Sequence, residues 1–430
     1  MAGKPSVVFA FANAQRQGDQ LGKMEDGHLM RNNPIYIHAG CLIDGSGAAV
    51  QRKMRIGLHN GIIQSIRKIT EPLPPSAKKE ASVLDLSDCT LLPGLIDCHV
   101  HLALPATAQL RPAGVRSPED RSRILMHLKQ YLATGVMAVR DGGDAAGGVL
   151  RSKAHPAVKS LPIVVRAAGT AWHRPGRYGH LIGHCLPSKK SLVEAVLQER
   201  ADVDHIKIVN SGLNSLTVFG QETAPQFGSD DMIAAVRAAR RRGFKTMVHA
   251  NGKAAVKIAL DAGCDSIEHG FFMGTDNLHR MADSRTTWVP TAYTMQALKQ
   301  RMKRRREAVD VVQKNFDHQL EQIRIARQLG VRIALGTDAG SAGVMHGQAL
   351  VEEMSVYRDA GYPIEQVIAC ATSHAAPLLG LLQQGRLRPN MQANLIAVKG
   401  KPAQLPQSLE KIEQIIYKGK RVNLDSMSTK

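Results

Sequence analysis

Between residues 93 and 383 short β-branched runs alternate with amphipathic stretches of helical period, and this alternation limits the chain to few folds. Eight such runs end near His101, Asp141, Gly169, Val209, His249, His269, Thr291 and Asp338. Helices are expected between them, over Asp120 to Thr134, Ser188 to Ala201, Asp230 to Gly243 and Lys253 to Gly263. Strand, helix, strand in repetition builds a parallel sheet. Eight units in about 290 residues suit a TIM (β/α)8 barrel, which takes roughly 250 residues before insertions. The flanks read differently. Residues 34–92 carry short apolar runs broken by Gly and Asn (Pro34 to His38, Arg55 to Leu58, Ile62 to Ile66). After Gly385 the chain turns β again, at Asn394 to Val398 and Ile415 to Lys420. The expected architecture is therefore α/β, a barrel over 93–383 beside a small β-sandwich built from both chain ends, 34–92 and 384–430. Residues 1–33 read as a loose arm.

Composition sets wider bounds. The chain has 430 residues, 43% hydrophobic and 22% charged, enough for a sizeable core. No apolar run approaches the roughly 20 residues a membrane span requires. The six cysteines (Cys41, Cys89, Cys98, Cys185, Cys264, Cys370) include no close pair, which argues against disulfides or a zinc ribbon and for a reducing cytoplasm. The formal net charge is +19. Such an excess raises the possibility of a nucleic-acid-binding protein without enzymatic activity. Only one run is dense, Lys299 to Arg306, where a long polar helix is expected to open. No aromatic RNA-binding stretch accompanies it, so a solvated basic face is the simpler reading. Neither a nucleic-acid nor a membrane partner is expected; a small-molecule substrate is, and a homo-oligomer is admissible.

Barrel sites lie at the C-terminal ends of the strands. Here those ends carry ligand-type residues. His99 and His101 share one face of the first strand, because side chains alternate along a strand. Two adjacent imidazoles make half a metal site. Lys207 stands between two isoleucines in the fourth strand, where an unpartnered ammonium would be costly. His249 ends the fifth strand, His269 the sixth and Asp338 the eighth. Each has an ordinary explanation taken singly: a hydrogen-bonded core histidine, a surface Glu268-His269 pair, a helix cap at Asp338. Their joint placement points to a metal centre.

The segment Gly94-Leu95-Ile96-Asp97-Cys98-His99-Val100-His101, the Gly336-Thr337-Asp338 stretch and the Gln392-Ala393-Asn394-Leu395-Ile396 return resemble the amidohydrolase superfamily from about residue 35 to 425. The resemblance is nearest to its binuclear branch, with prolidase-like and Xaa-Lys/Arg dipeptidases. It implies two divalent ions, with zinc expected. His99, His101 and Asp338 would hold one, His249 and His269 the other, and a carboxylated Lys207 would bridge them. It also implies a hydrolase that cuts a C–N amide bond with a metal-bridging hydroxide, Asp338 acting as base and then acid. No Gly-x-Ser-x-Gly elbow suggests a serine nucleophile. The favoured substrate is a dipeptide or N-acyl amino acid with a free carboxylate. A deaminase or cyclic-amide hydrolase on the same scaffold is the alternative. Substrate contacts are expected from His173, Arg174, Arg177, Tyr178 and His180, where guanidinium and phenol groups suit an anion, and from Tyr293 past strand seven. The long stretch Ser211 to Asp231 reads as a lid or substrate wall.

Overall fold

The computed structural model describes residues 34–73, 82–106, 119–187, 190–302 and 306–423. The expected arm, 1–33, lies outside them. Four strands come first, β1 (Ile35–Leu42), β2 (Gln51–His59), β3 (Ile62–Lys68) and β4 (Ser82–Pro93). Nine follow in the middle of the chain: β5 (Leu95–Val100), β6 (Val136–Asp141), β7 (Val164–Ala167), β8 (Ala171–His173), β9 (Gly183–Cys185), β10 (His205–Val209), β11 (Lys245–Ala250), β12 (Ser266–His269) and β13 (Thr287–Val289). The last three are β14 (Leu395–Lys399), β15 (Ile412–Tyr417) and β16 (Lys420–Val422).

Both flanks meet in a single seven-stranded sheet of order β16-β15-β14-β4-β1-β2-β3. The seam is antiparallel, with Leu395 opposite Pro93 and Lys399 opposite Cys89. One cluster of buried apolar side chains packs on this sheet, among them Ile37, Ile56, Leu58, Leu91, Leu395 and Ile416. The twelve-residue β4 escapes a reading based on apolar runs, because Asp85, Ser87 and Asp88 interrupt its first half while its last five residues are buried.

In the middle of the chain the strands are parallel. β5, β6 and β7 form one sheet, and β13-β12-β11-β10-β8-β9 another. Their faces are buried on both sides, as in sheets covered by helices: every residue of β5, β6, β10 and β12 is buried. The covering helices include Glu119–Ala133, Ser229–Arg241, Lys253–Ala262, Arg306–Leu329 and Gln348–Asp359. The backbone joins the sheets at both sides. The Asp204 amide donates to Ala167 O at 2.9 Å, and the stretch 333–339 lies between β13 and β5.

That stretch stands where the eighth strand is expected, without forming a regular ladder. It is extended but makes only isolated bridges, Trp288 to Ile333 and Val100 to Ala339. Its backbone bonds Trp288 and Cys98 directly, and Asp97 adds side-chain bonds, accepting from the Thr337 amide (3.0 Å) and hydroxyl (2.7 Å). Asp338 adopts φ 58°, which no strand tolerates, and its amide donates to His99 O at 2.7 Å. The helix expected over Ser188 to Ala201 is shorter, Leu192–Leu197, held at its start by a Ser191/Glu194 capping box. The basic run does not open a helix at Lys299. Helix Tyr293–Arg301 ends inside the run, and the long helix starts at Arg306.

Candidate metal centre

His99 on β5 and His101, one residue past its end, keep the alternation of the strand, with ring centroids 5.4 Å apart. The turn at Asp338 delivers its carboxylate beside both: Oδ1 lies 3.5 Å from His99 Nε2 and 3.3 Å from His101 Nε2. Ligand atoms of these three residues all fall within 4.8 Å of one another, a candidate His/His/Asp metal site. The imidazole row continues through His269, 4.9 Å from His99 and 4.6 Å from His249. β10 adds Lys207, fully buried.

One nitrogen of each imidazole is occupied. His99 Nδ1 meets Glu268 Oε2 at 2.8 Å, and His101 Nδ1 meets Gly143 O at 3.0 Å. His249 Nε2 meets Gly212 O at 3.1 Å, and His269 Nδ1 meets Thr291 Oγ1 at 2.6 Å. Such outer partners fix tautomer and ring plane in metal sites, leaving the opposite nitrogen as the ligand. His99 Nε2 and Lys207 Nζ are buried with no hydrogen-bond partner. Orphaned polar atoms at this depth are costly, and a cation held by the imidazoles would satisfy the first. Gly142 leaves the needed space. A Cβ there would come within 2.8 Å of His101 Cε1 and 3.4 Å of His99 Nε2. The donor set therefore fits a divalent metal.

Electrostatics favour neutral imidazoles at three of the four histidines; His101 is raised, its burial outweighed by the hydrogen bond and charge of Asp338. Burial drives His99 and His269 well below the usual histidine range and His249 down to about 4, with Lys207 adding to each. Burial also lowers Lys207, to about 8. Asp338 moves the other way from a buried acid. Burial would raise it, but the hydrogen bond from His101, with lesser help from the neighbouring imidazoles, holds it far below the usual carboxylate range.

The residues expected to meet substrate are divided. Tyr178 reaches the imidazole row, its ring 5.3 Å from His249. His173 is buried, with Nδ1 on Arg174 O. Arg174, Arg177 and His180 are exposed. Arg174 pairs with Asp231 at 2.9 Å, and Arg177 Nη2 donates to Ala224 O at 2.5 Å. Arg177 thus ties the segment after β8 to the loop after β10, and Arg174 ties it to the first turn of helix Ser229–Arg241. Tyr293 starts a helix, its amide and that of Ala292 donating to Glu353. The loop after β10 is a fixed wall: Gln226 binds Tyr178 O and Ser211 O, Glu222 accepts from Lys253 N, and Asn315 donates to Ser215 O. It leaves Leu213, Val218 and Phe219 exposed.

Sequence reasoning passed over two residues. Glu268, set aside as half of a surface pair, is fully buried against His99. Arg140, also fully buried, holds Glu268 Oε1 at 2.9 Å. The missed signal was the one used for Lys207: a charge inside an otherwise apolar strand, here Val136-Met137-Ala138-Val139-Arg140.

Comparison with known proteins supports the same grouping. Residues 90–422 match the family model described as Amidohydrolase family. Ochratoxinase of Aspergillus niger is 25% identical over 410 residues, covering 85% of this chain and 81% of that protein. An uncharacterized protein of Mycobacterium tuberculosis is 24% identical over 336 residues, covering 77% and 84%. Among solved structures, a Xaa-Pro dipeptidase with methionine bound in its active site superposes with a TM-score of 0.77 at 28% identity, covering 91% of this chain and all of the other. The chain belongs to the amidohydrolase family and is a hydrolase acting on carbon–nitrogen bonds.

Proposed function

We propose that this protein is a metal-dependent hydrolase that cleaves the amide bond of a small carboxylate-bearing substrate, a dipeptide or an N-acyl amino acid. One observation carries the reading: four buried imidazoles, each with one nitrogen tied down, converge with Asp338 beside an unpartnered lysine. His99, His101 and Asp338 would hold one divalent ion, His249 and His269 a second, and Lys207, carboxylated on Nζ, would join them. Zinc suits imidazole and carboxylate donors. Bound metal would polarise the scissile carbonyl and acidify a water.

The chain's own residues supply the rest. Asp338, kept ionised by its histidine neighbours, takes the proton of the attacking water and passes it to the leaving amine. Tyr178 borders the reaction space beside His249. Arg174 and Arg177 receive the substrate carboxylate, helped by His173 and His180, with Tyr293 on the far side. The exposed Arg174–Asp231 pair is worth only about 0–1 kcal/mol, so an incoming carboxylate can compete for it. Leu213, Val218 and Phe219 support an apolar group on the other side of the amide. We read the parallel strands of 93–383 as one (β/α)8 barrel and the seven-stranded sheet as the core of a β-sandwich domain from both ends. Six unpaired cysteines support a cytoplasmic setting.

Metal analysis with product analysis tests the proposal. About two zinc ions per chain, and a free amino acid released from dipeptides or N-acyl amino acids, are expected. Ammonia as product would turn the reading to a deaminase, and full activity with one ion would end the binuclear assignment.

A further inference from the structure

The ladder between β12 and β13 ends with Glu268 opposite Val289. It cannot run on, because Pro290 has no backbone N–H to give. His269 and Thr291 stand just past that point, with Thr291 Oγ1 2.6 Å from His269 Nδ1. Both backbones lie in the left-handed region, at φ 68° and 48°. Such conformations persist only where the surroundings hold them. A buried side chain bridges the gap. Gln319, on helix Arg306–Leu329, is fully buried. Its Nε2 donates to His269 O at 2.6 Å and to Pro290 O at 3.2 Å. Its Oε1 accepts from Gln322 Nε2 at 2.7 Å, and a flipped amide would set that oxygen against both carbonyls. Trp288 Nε1 donates to the same His269 carbonyl at 2.9 Å. The bonds close a ring: Gln319 to His269 O, the imidazole to Thr291 Oγ1, the peptide link back to Pro290, and Pro290 O to Gln319.

We propose that Gln319 is a positioning residue for the second ion: it ties the carbonyl of His269 and the Pro290–Thr291 peptide to one point, and so aims the imidazole. The inference rests on the reading of His269 as a ligand of that ion. An imidazole swings about bonds that start from its own backbone. Gln319 fixes where the swing begins, and Thr291 fixes where it ends. With Nδ1–H given to Thr291 Oγ1, Nε2 is the nitrogen presented. Stability alone does not ask for an amide here. His269 O already has a donor in Trp288. Val312, Phe316, Gln319 and Ile323 also follow one another at helical spacing, and the other three are part of the apolar core. A glutamine on that face is the exception, and both carbonyls it serves flank the ligand and its outer partner.

The test uses full-length protein with 15N-labelled histidine, first free of metal and then loaded with zinc. It reads the exchange with water of the His269 Nδ1 proton, assigned against His269→Gln, and the zinc dissociation constants in a chelator competition. Gln319→Met keeps the volume and removes both donated bonds. The Nδ1 proton should then exchange at least tenfold faster, and one ion should bind about tenfold more weakly while the other keeps its affinity. Asn277→Leu is the control for mere loosening. Asn277 is also a buried amide donating to two carbonyls, but these are Lys253 O and Met273 O. That variant should leave both readings at wild-type values. Unchanged exchange and affinity in Gln319→Met would overturn the inference, as would equal weakening of both ions or the same changes in Asn277→Leu. If Gln319→Met does not fold, Gln319→Asn decides. The shorter amide cannot span both carbonyls, so the same two changes are expected, and wild-type values there would overturn the inference. A wild type that binds a single ion defeats the binuclear reading instead; Gln319 is then judged on the proton exchange, which needs no metal.

Discussion

The two halves of the proposed centre are held by different kinds of structure. His99, His101 and Asp338 hang on strand β5 and on a turn bonded to it, and their outer partners are a buried carboxylate and the Gly143 carbonyl. Asp141 fixes the surroundings, its carboxylate accepting from Leu102 N and Gly143 N. His249 and His269 lean on connecting segments, on Gly212 O at the start of the loop after β10 and on Thr291 after β13. The first half is the more rigid because its supports are themselves tied down, Glu268 on β12 by Arg140 and Gly143, just past β6, by Asp141. The second inherits the order of loops that the proposed function places beside substrate, so its metal affinity and its substrate response should be coupled.

The sharpest way to break this contrast is Asp338→Asn. The amide still offers an oxygen but cannot carry a proton, so turnover should fall by about 10³-fold or more, while zinc content drops far less. Near wild-type rates at full metal would remove Asp338 as the proton carrier. Next, Gly142→Ala places a methyl against His99 and His101. It should cost the rigid half its ion, leaving about one zinc per chain by elemental analysis. Retention of two ions would mean that the half yields more than its supports imply. A smaller effect is expected from Arg174→Ala or Arg177→Ala. KM should rise about tenfold for substrates with a free carboxylate and hardly for their amides. Equal change on both would free these arginines from substrate and leave them as ties to the loop after β10 and the helix that follows it.

The mildest probe is pH. Glu353 supports the Thr291 side, accepting from Ala292 N and Tyr293 N. Burial raises its carboxyl to about 8, against those two bonds. The folded state therefore holds a proton that the unfolded chain releases near 4.5. The stability it contributes is full below that pH and is lost as pH rises to about 8, at no more than about 1.4 kcal/mol per pH unit. Glu353→Gln should flatten the melting temperature between pH 5 and 8. A slope equal to wild type would assign the titration elsewhere.

What the sequence discloses follows from the same physics. His99, His101, His249, His269 and Asp338 are visible because the chemistry sits where apolar runs end, and end positions need no contact map. Lys207 is visible because a charge inside a strand demands an explanation. Arg140 and Glu268 make the same demand, but only three dimensions show that they answer each other across β6 and β12. The eighth run, Ile333 to Leu335, does bond β13 and β5 through its backbone, but no regular ladder continues past it, where the Asp97 side chain takes the Thr337 amide and hydroxyl. Arg174 and Arg177 announce charge, yet their partners, Asp231 and Ala224, lie some fifty residues on.

The seam between β4 and β14 sets a timetable for folding. Thr90 pairs with Val398, so the central join of the seven-stranded sheet waits until some three hundred further residues have been made. Until then β4 can pair only with β1, and its other edge stands open. The parallel strands in between can form meanwhile, each from neighbours close in sequence. Long-range pairing of this kind is slow and exposed to aggregation. During synthesis the open edge of β4, rather than the metal centre, is the part of this molecule most in need of protection.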